Sequence, residues 1–150
     1  EIEMVVALKS GGYRIAEDQA LDTVFGYCVG LDMTRRDMQS GFKDMGRPWD
    51  MAKGFDRSAP MSQIHTAESV GHISSGSVTL AVNGDVRQEG DVNQLIWNIP
   101  ETISYLSGLI TLCPGDLIMT GTPSGVSAVV KGDHLIGHVD GLTDLDIKIG

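Results

Sequence analysis

The run Val24-Phe25-Gly26-Tyr27-Cys28-Val29 is apolar and β-rich, and it stops against a stretch that cannot stay buried, Gly30-Leu31-Asp32-Met33-Thr34-Arg35-Arg36-Asp37-Met38-Gln39. A chain built this way must bury a strand and then turn its backbone toward solvent at Asp32. That is a common address for chemistry. Taken alone, two acids and two arginines within six residues read equally well as a solvated, self-neutralising ion-pair cluster. Other parts of the chain have to decide between the two.

Glycine carries the second constraint. Nineteen glycines in 150 residues favour tight turns over long helices, so the expected fold is α+β and predominantly β. A chain of this length suits one domain, 1–150, with a single core. A net charge of −9 repels nucleic acid and anionic membrane surfaces, so neither is an expected partner, and a bound cation would relieve part of that charge. No apolar run approaches the roughly 18 residues of a membrane span. Cys28 and Cys113 lie in apolar sequence and are expected to be buried free thiols. The chain opens on Glu1, inside a strand-like run and without an initiator methionine, so it reads as a piece of a longer protein, expected in the cytoplasm. A first residue with nothing before it is also expected to fray.

In chain order, Glu1-Ile2-Glu3-Met4-Val5-Val6-Ala7-Leu8 suits a strand entering a core, and the two-residue repeat puts Glu1 and Glu3 on one face, about 6–7 Å apart. Two like charges there must face water or a cation. Lys9-Ser10-Gly11-Gly12 marks a turn, and Ile15 to Asp22 is expected as a short helix or helical turn. Gly41 to Asp50 has no sustained periodicity and reads as a loop with at most one helical turn. Lys53, in Ala52-Lys53-Gly54-Phe55-Asp56, sits where an amine can be partly desolvated and held close to a substrate; the bland alternative is a solvated lysine. His65 and His72 have no ligand-like partner at a useful spacing and are expected at the surface.

Val78 to Val82, the Asn83-Gly84 turn and Asp85 to Gln88 predict a hairpin with a structural role. Val92 to Ile110 carries apolar residues at helical spacing, with Pro100 opening a second half. The loop Thr120-Gly121-Thr122-Pro123-Ser124-Gly125 follows a short strand and can present N–H groups and hydroxyls to an anion, or be a plain turn. Closing strands run through Leu145-Asp146-Ile147-Lys148-Ile149, and neither His134 nor His138 is given a role.

Glu1, Glu3 and Asp32 would together supply three hard oxygen ligands from two strand ends. Such a set, with no cysteine or paired histidine, favours one octahedral Mg²⁺ or Mn²⁺ over zinc. At this point Glu1-Ile2-Glu3 and Asp32-Met33-Thr34-Arg35-Arg36-Asp37-Met38-Gln39 resemble the metal motifs of the fumarylacetoacetate hydrolase family. The resemblance continues in the family's order through Ala52-Lys53-Gly54-Phe55-Asp56, the Val82-Asn83-Gly84 hairpin, Pro114-Gly115-Asp116 and Thr120 to Gly125, and so spans nearly the whole chain. Asp32 to Asp37, Gly46-Arg47-Pro48-Trp49-Asp50 and Asn93-Gln94-Leu95-Ile96-Trp97 look most like the fumarylpyruvate hydrolases of gentisate breakdown, with Thr34 in place of the commoner Ser and Arg35 in place of a commoner Ala.

That resemblance implies a mixed β-roll of several packed layers, a homodimer, and hydrolysis of a carbon–carbon bond in a 1,3-diketo acid. A divalent ion on Glu1, Glu3 and Asp32 can chelate an α-keto acid end and act as electron sink. By similarity, Lys53 and Gln39 would act on substrate oxygens, Arg36 would support an anionic group or the metal's surroundings, and Thr122 would hold a substrate carboxylate. The family's water-activating histidine lies on a lid segment ahead of Glu-x-Glu, and none of the four histidines here sits in a matching motif. Oxaloacetate decarboxylation, acylpyruvate cleavage, hydroxydienoate isomerisation, and a non-catalytic binding module on the same scaffold are the alternatives, because pocket rather than metal decides among them.

Overall fold

The computed structural model describes residues 1–150. β1 (Ile2–Leu8) is buried along its whole length. Ile2, Met4, Val6 and Leu8 enter the main core, so strand alternation turns Glu3, Val5 and Ala7 to the opposite face. β2 (Val24–Leu31) pairs with it antiparallel, with Ile2 opposite Leu31 and Leu8 opposite Val24. β3 (His65–Thr66) and β6 (Leu117–Met119) complete a four-stranded sheet in the order β3-β2-β1-β6.

A second four-stranded sheet has β4 (Ser77–Val82), β5 (Asp85–Asp91), β7 (His134–Val139) and β8 (Leu145–Lys148) in the order β5-β4-β7-β8. All pairings in both sheets are antiparallel. Val78, Leu80, Val82, Leu135, Val139 and Leu145 meet the inward residues of β1 and β2 to form the core. Asn83 and Gly84 join β4 to β5 with φ of +53° and +89°, which is why an Asn-Gly pair signals this turn. The β-rich α+β fold expected from the glycine load is the one observed.

One local expectation holds and three need correction. The short helix expected over Ile15 to Asp22 is present, as a 3₁₀ helix over Glu17–Thr23. Gly41 to Asp50 is more helical than its composition suggests: α1 (Arg36–Asp44) runs through Gly41, and α2 (Asp50–Lys53) adds one turn. After the single turn α3 (Ala67–Val70), the long amphipathic helix over Val92 to Ile110 is split into a 3₁₀ turn, Val92–Gln94, and α4 (Ile99–Leu109). Asp91 and Asn98 each form a capping box, and a second cap restarts the helix four residues late, leaving Ile96 96% and Trp97 45% exposed. Cys113 is exposed, because Leu112 takes the inward position and the next residue opens the Cys-Pro-Gly-Asp turn; Cys28 is buried and free as expected.

Candidate metal centre

Pairing of β1 with β2 builds the site. One step beyond the Ile2–Leu31 pair, Asp32 donates its backbone N–H to the Glu1 carbonyl at 2.9 Å, so the start of one strand and the exit of the other lie side by side. Glu3 stands on the same face as Glu1, two residues along. Ligand oxygens of Glu1, Glu3 and Asp32 all lie within 4.8 Å of one another.

The cluster is partly compensated by cations. Lys53, on the last residue of α2, donates to Asp32 Oδ2 at 2.5 Å, Glu1 Oε2 at 2.9 Å and Thr34 Oγ1 at 2.8 Å. Its turn is anchored by Ala52, which is fully buried and accepts the Arg35 N–H at 3.0 Å. Arg36, at the first position of α1, donates through Nη2 to Glu1 Oε1 at 2.6 Å and through Nη1 to Gln39 Oε1 at 2.5 Å. Glu1 is therefore tied down by Lys53, Arg36 and Thr34, not frayed.

These contacts set the protonation states. Burial pushes the Glu3 carboxyl up to about 7, aided by the Asp32 and Glu1 charges and opposed by the Gly121 N–H, which donates to Glu3 Oε2 at 2.6 Å. Burial also works against charge on Glu1, but hydrogen bonds from Lys53 and Arg36 outweigh it and hold that carboxyl below its ordinary value. For Lys53, desolvation is outweighed by hydrogen bonds to Asp32 and Glu1, which raise its pKa and keep it an ammonium.

An all-oxygen donor set of three converging carboxylates, one of them only 5% exposed, fits a hard divalent cation. With all three carboxyls ionised, three carboxylates against two cations leave one negative charge. A divalent ion turns that into one positive charge, which suits an anionic substrate.

Contacts bring five of the seven residues expected at the site onto the cluster. Glu1, Glu3, Asp32, Lys53 and Arg36 meet directly, Gln39 is attached through Arg36, and Thr122 follows the Gly121 N–H that holds Glu3. Two contributors escaped the sequence reading. Thr34 accepts from Lys53 and donates to Glu1 Oε1 at 3.3 Å, and its place inside the acid–arginine stretch was the available signal. Gln88 donates through Nε2 to Thr122 Oγ1 at 2.8 Å from a strand judged structural.

The histidines belong to other parts of the molecule. His65 is partly exposed beside β2 and contacts Thr143, and His72 is exposed, as expected, and meets the buried Tyr27 hydroxyl at 2.7 Å. His134 pairs with Asp146, and His138 with Asp140 and Asp144. A cavity of about 410 Å³ shares Thr120, Gly121, Thr122 and Pro123 with the site and is otherwise lined mainly by Met4, Val78, Val92, Leu95, Ile96 and Trp97.

The family model for the fumarylacetoacetate (FAA) hydrolase C-terminal region matches residues 1–149. A fumarylpyruvate hydrolase from Ralstonia sp is 45% identical over 150 residues, covering all of this chain and 78% of the relative. Mitochondrial oxaloacetate tautomerase FAHD1 from Rattus norvegicus is 42% identical over 149 residues, covering 99% of this chain and 67% of the relative. Among solved structures, fumarylpyruvate hydrolase from Pseudomonas aeruginosa in complex with Mn²⁺ and pyruvate superimposes with a TM-score of 0.98 at 50% identity, over 99% of this chain and 64% of that one. With a family model spanning almost every residue and relatives this similar over nearly the whole chain, the chain belongs to the fumarylacetoacetate hydrolase family.

Proposed function

We propose that this chain is the catalytic domain of a divalent-metal-dependent hydrolase acting on the carbon–carbon bond of a 1,3-diketo acid, with fumarylpyruvate as substrate and fumarate and pyruvate as products. The observation that carries the reading is the convergence of Glu1, Glu3 and Asp32 beside Lys53. Similarity to the Ralstonia and Pseudomonas fumarylpyruvate hydrolases supports the substrate. When bound, Mg²⁺ or Mn²⁺ supplies a Lewis acid for the α-keto acid end and an electron sink for the bond that breaks.

The chain's own residues do the rest. Lys53 polarises a substrate oxygen from its fixed place between Asp32 and Glu1, and Gln39, aligned by Arg36, orients another. Arg36 adds positive charge on the solvent side, and the Thr122 hydroxyl donates to a substrate carboxylate. Water delivers its hydroxyl to the carbonyl carbon that becomes the new carboxylate of fumarate, the electrons of the broken bond go to the pyruvate carbon, and a proton ends there. None of the four histidines touches the carboxylate cluster, so no residue of this chain is given the role of activating this water.

A second reading is favoured by the 42% identity to an oxaloacetate tautomerase, since enol–keto exchange of oxaloacetate needs the same chelate but no water. Full-length protein with saturating Mn²⁺ separates the two: steady pyruvate release from fumarylpyruvate supports hydrolysis, and enol-to-keto conversion of oxaloacetate without pyruvate release supports the alternative. A protein that binds Mn²⁺ and turns over neither is a binding module. We also propose a cytoplasmic homodimer, in which the exposed Ile96, Trp97, Tyr105 and Leu109 offer apolar surface for a second copy. Light scattering tests the dimer and cell fractionation the compartment.

A further inference from the structure

Gln88 is a polar side chain at an inward position of β5, opposite Leu80 and only 2% exposed. Its carboxamide is bonded at both ends. Oε1 accepts the Ile2 N–H at 3.1 Å, while Nε2 donates to Thr122 Oγ1 and to the Pro123 carbonyl, both at 2.8 Å. The amide cannot be turned over, because the Ile2 N–H requires an acceptor and the Pro123 carbonyl requires a donor. That fixes Thr122 in turn. With its oxygen already accepting from Nε2, the Thr122 hydroxyl keeps its own hydrogen for another acceptor.

Ile2 lies between the two glutamate ligands, and Thr122 lies one residue after the N–H that holds Glu3. One buried amide thus joins the ligand-bearing start of β1 to the loop that faces the substrate. We propose that Gln88 is a positioning residue, which keeps the Thr120–Gly125 loop in register with Glu1 and Glu3 and orients the Thr122 hydroxyl as a donor toward the carboxylate of the bound keto acid. This rests on the reading above, in which Thr122 holds a substrate carboxylate. Gln88 touches neither ion nor substrate. A hydroxyl aimed by a buried amide loses little freedom on binding an anion, so its donation is stronger than that of a freely rotating threonine.

The test uses full-length protein loaded with Mn²⁺ and pyruvate as probe, with binding followed by calorimetry. Gln88→Met and Thr122→Val are each expected to weaken pyruvate binding about tenfold, the order expected for one hydrogen bond to a charged group. The double variant is expected to be no weaker than either single one, because both remove the same donation. Mn²⁺ affinity without pyruvate is expected to change far less, since the ligands are also held by β1–β2 pairing. Unchanged pyruvate affinity in Gln88→Met, or losses that multiply in the double variant, would overturn the proposal while leaving wild-type binding intact. Absence of pyruvate binding by the Mn²⁺-loaded wild type would overturn the functional reading and the proposal with it. Should Gln88→Met not fold, the side-chain amide signals of Gln88 in Mg²⁺-loaded wild type decide the matter by NMR: they are expected to shift on adding pyruvate, and unmoved signals refute the link.

Discussion

The N–H of Gly121 points at Glu3 Oε2 from 2.6 Å, a single backbone hydrogen bond holding a carboxylate that is 5% exposed. It does not offset burial, so Glu3 titrates at about 7 in the folded chain against 4.5 ordinarily. A folded-state pKa above the unfolded one favours the protonated fold: that contribution is full below the ordinary value and is lost as the pH rises through about 7. The ion needs the opposite state. Mn²⁺ affinity is expected to fall about tenfold per pH unit on acidification below neutrality, because a proton competes for the same oxygen. The melting temperature of metal-free protein should meanwhile decline as pH rises through that range. Glu3→Gln should flatten the melting profile, and an unchanged slope in that variant would reassign the titration.

Asp32→Asn keeps the shape of the β2 exit but replaces a charged ligand by a neutral one. Loss of Mn²⁺ affinity should exceed the roughly 10- to 100-fold typical of residues that merely support a metal's ligands. Calorimetry checks it, and a smaller loss would mean that Asp32 is not coordinated.

Lys53→Met separates catalysis from metal binding. Removing an ammonium 2.5 Å from Asp32 and 2.9 Å from Glu1 leaves the cluster more negative, so Mn²⁺ affinity should hold or rise. Turnover should fall by about 10²- to 10⁴-fold if the ammonium acts on substrate oxygens. A variant with wild-type turnover would remove Lys53 from the chemistry.

Gly26→Ala addresses the fold beneath the site. A Cβ at Gly26 would come within 2.0 Å of the His65 carbonyl oxygen, a backbone atom that can yield only by breaking the pairing of β2 with β3. The expected cost is about 1–3 kcal/mol, as for overpacking. In a chain of this size each kcal/mol lowers the melting temperature by about 2–4 °C, which thermal unfolding would detect.

Much of this was legible in the sequence because it depends on short-range repetition. Glu1 and Glu3 announce a shared face through a two-residue repeat, and Asp32 announces a strand exit through the abrupt end of an apolar run. Gln88 was illegible for a related reason. In a hairpin whose β5 residues are otherwise largely exposed, nothing local tells an inward glutamine from an outward one; its partners Ile2 and Thr122 are 86 and 34 residues away. The break at Leu95–Asn98 was hidden because apolar spacing continues across it, while the two capping boxes that interrupt it depend on side-chain geometry. Apart from the family resemblance of its motif, Lys53 was visible only as a lysine in an unusual setting, since the turn that delivers it to Asp32 is shaped by a hydrogen bond between Arg35 and Ala52.

The contact between Glu3 and Gly121 spans 118 residues of chain, and that between Lys53 and Glu1 spans 52. The Glu1, Glu3 and Asp32 ligands converge only once β1 has paired with β2, and the groups that hold them arrive from beyond β6 and from α2, so the cation has no finished site to grip in an unfolded chain. Metal should consequently leave the rate of folding almost untouched and act by slowing unfolding, making the ion a kinetic lock on the finished molecule rather than a template for assembling it.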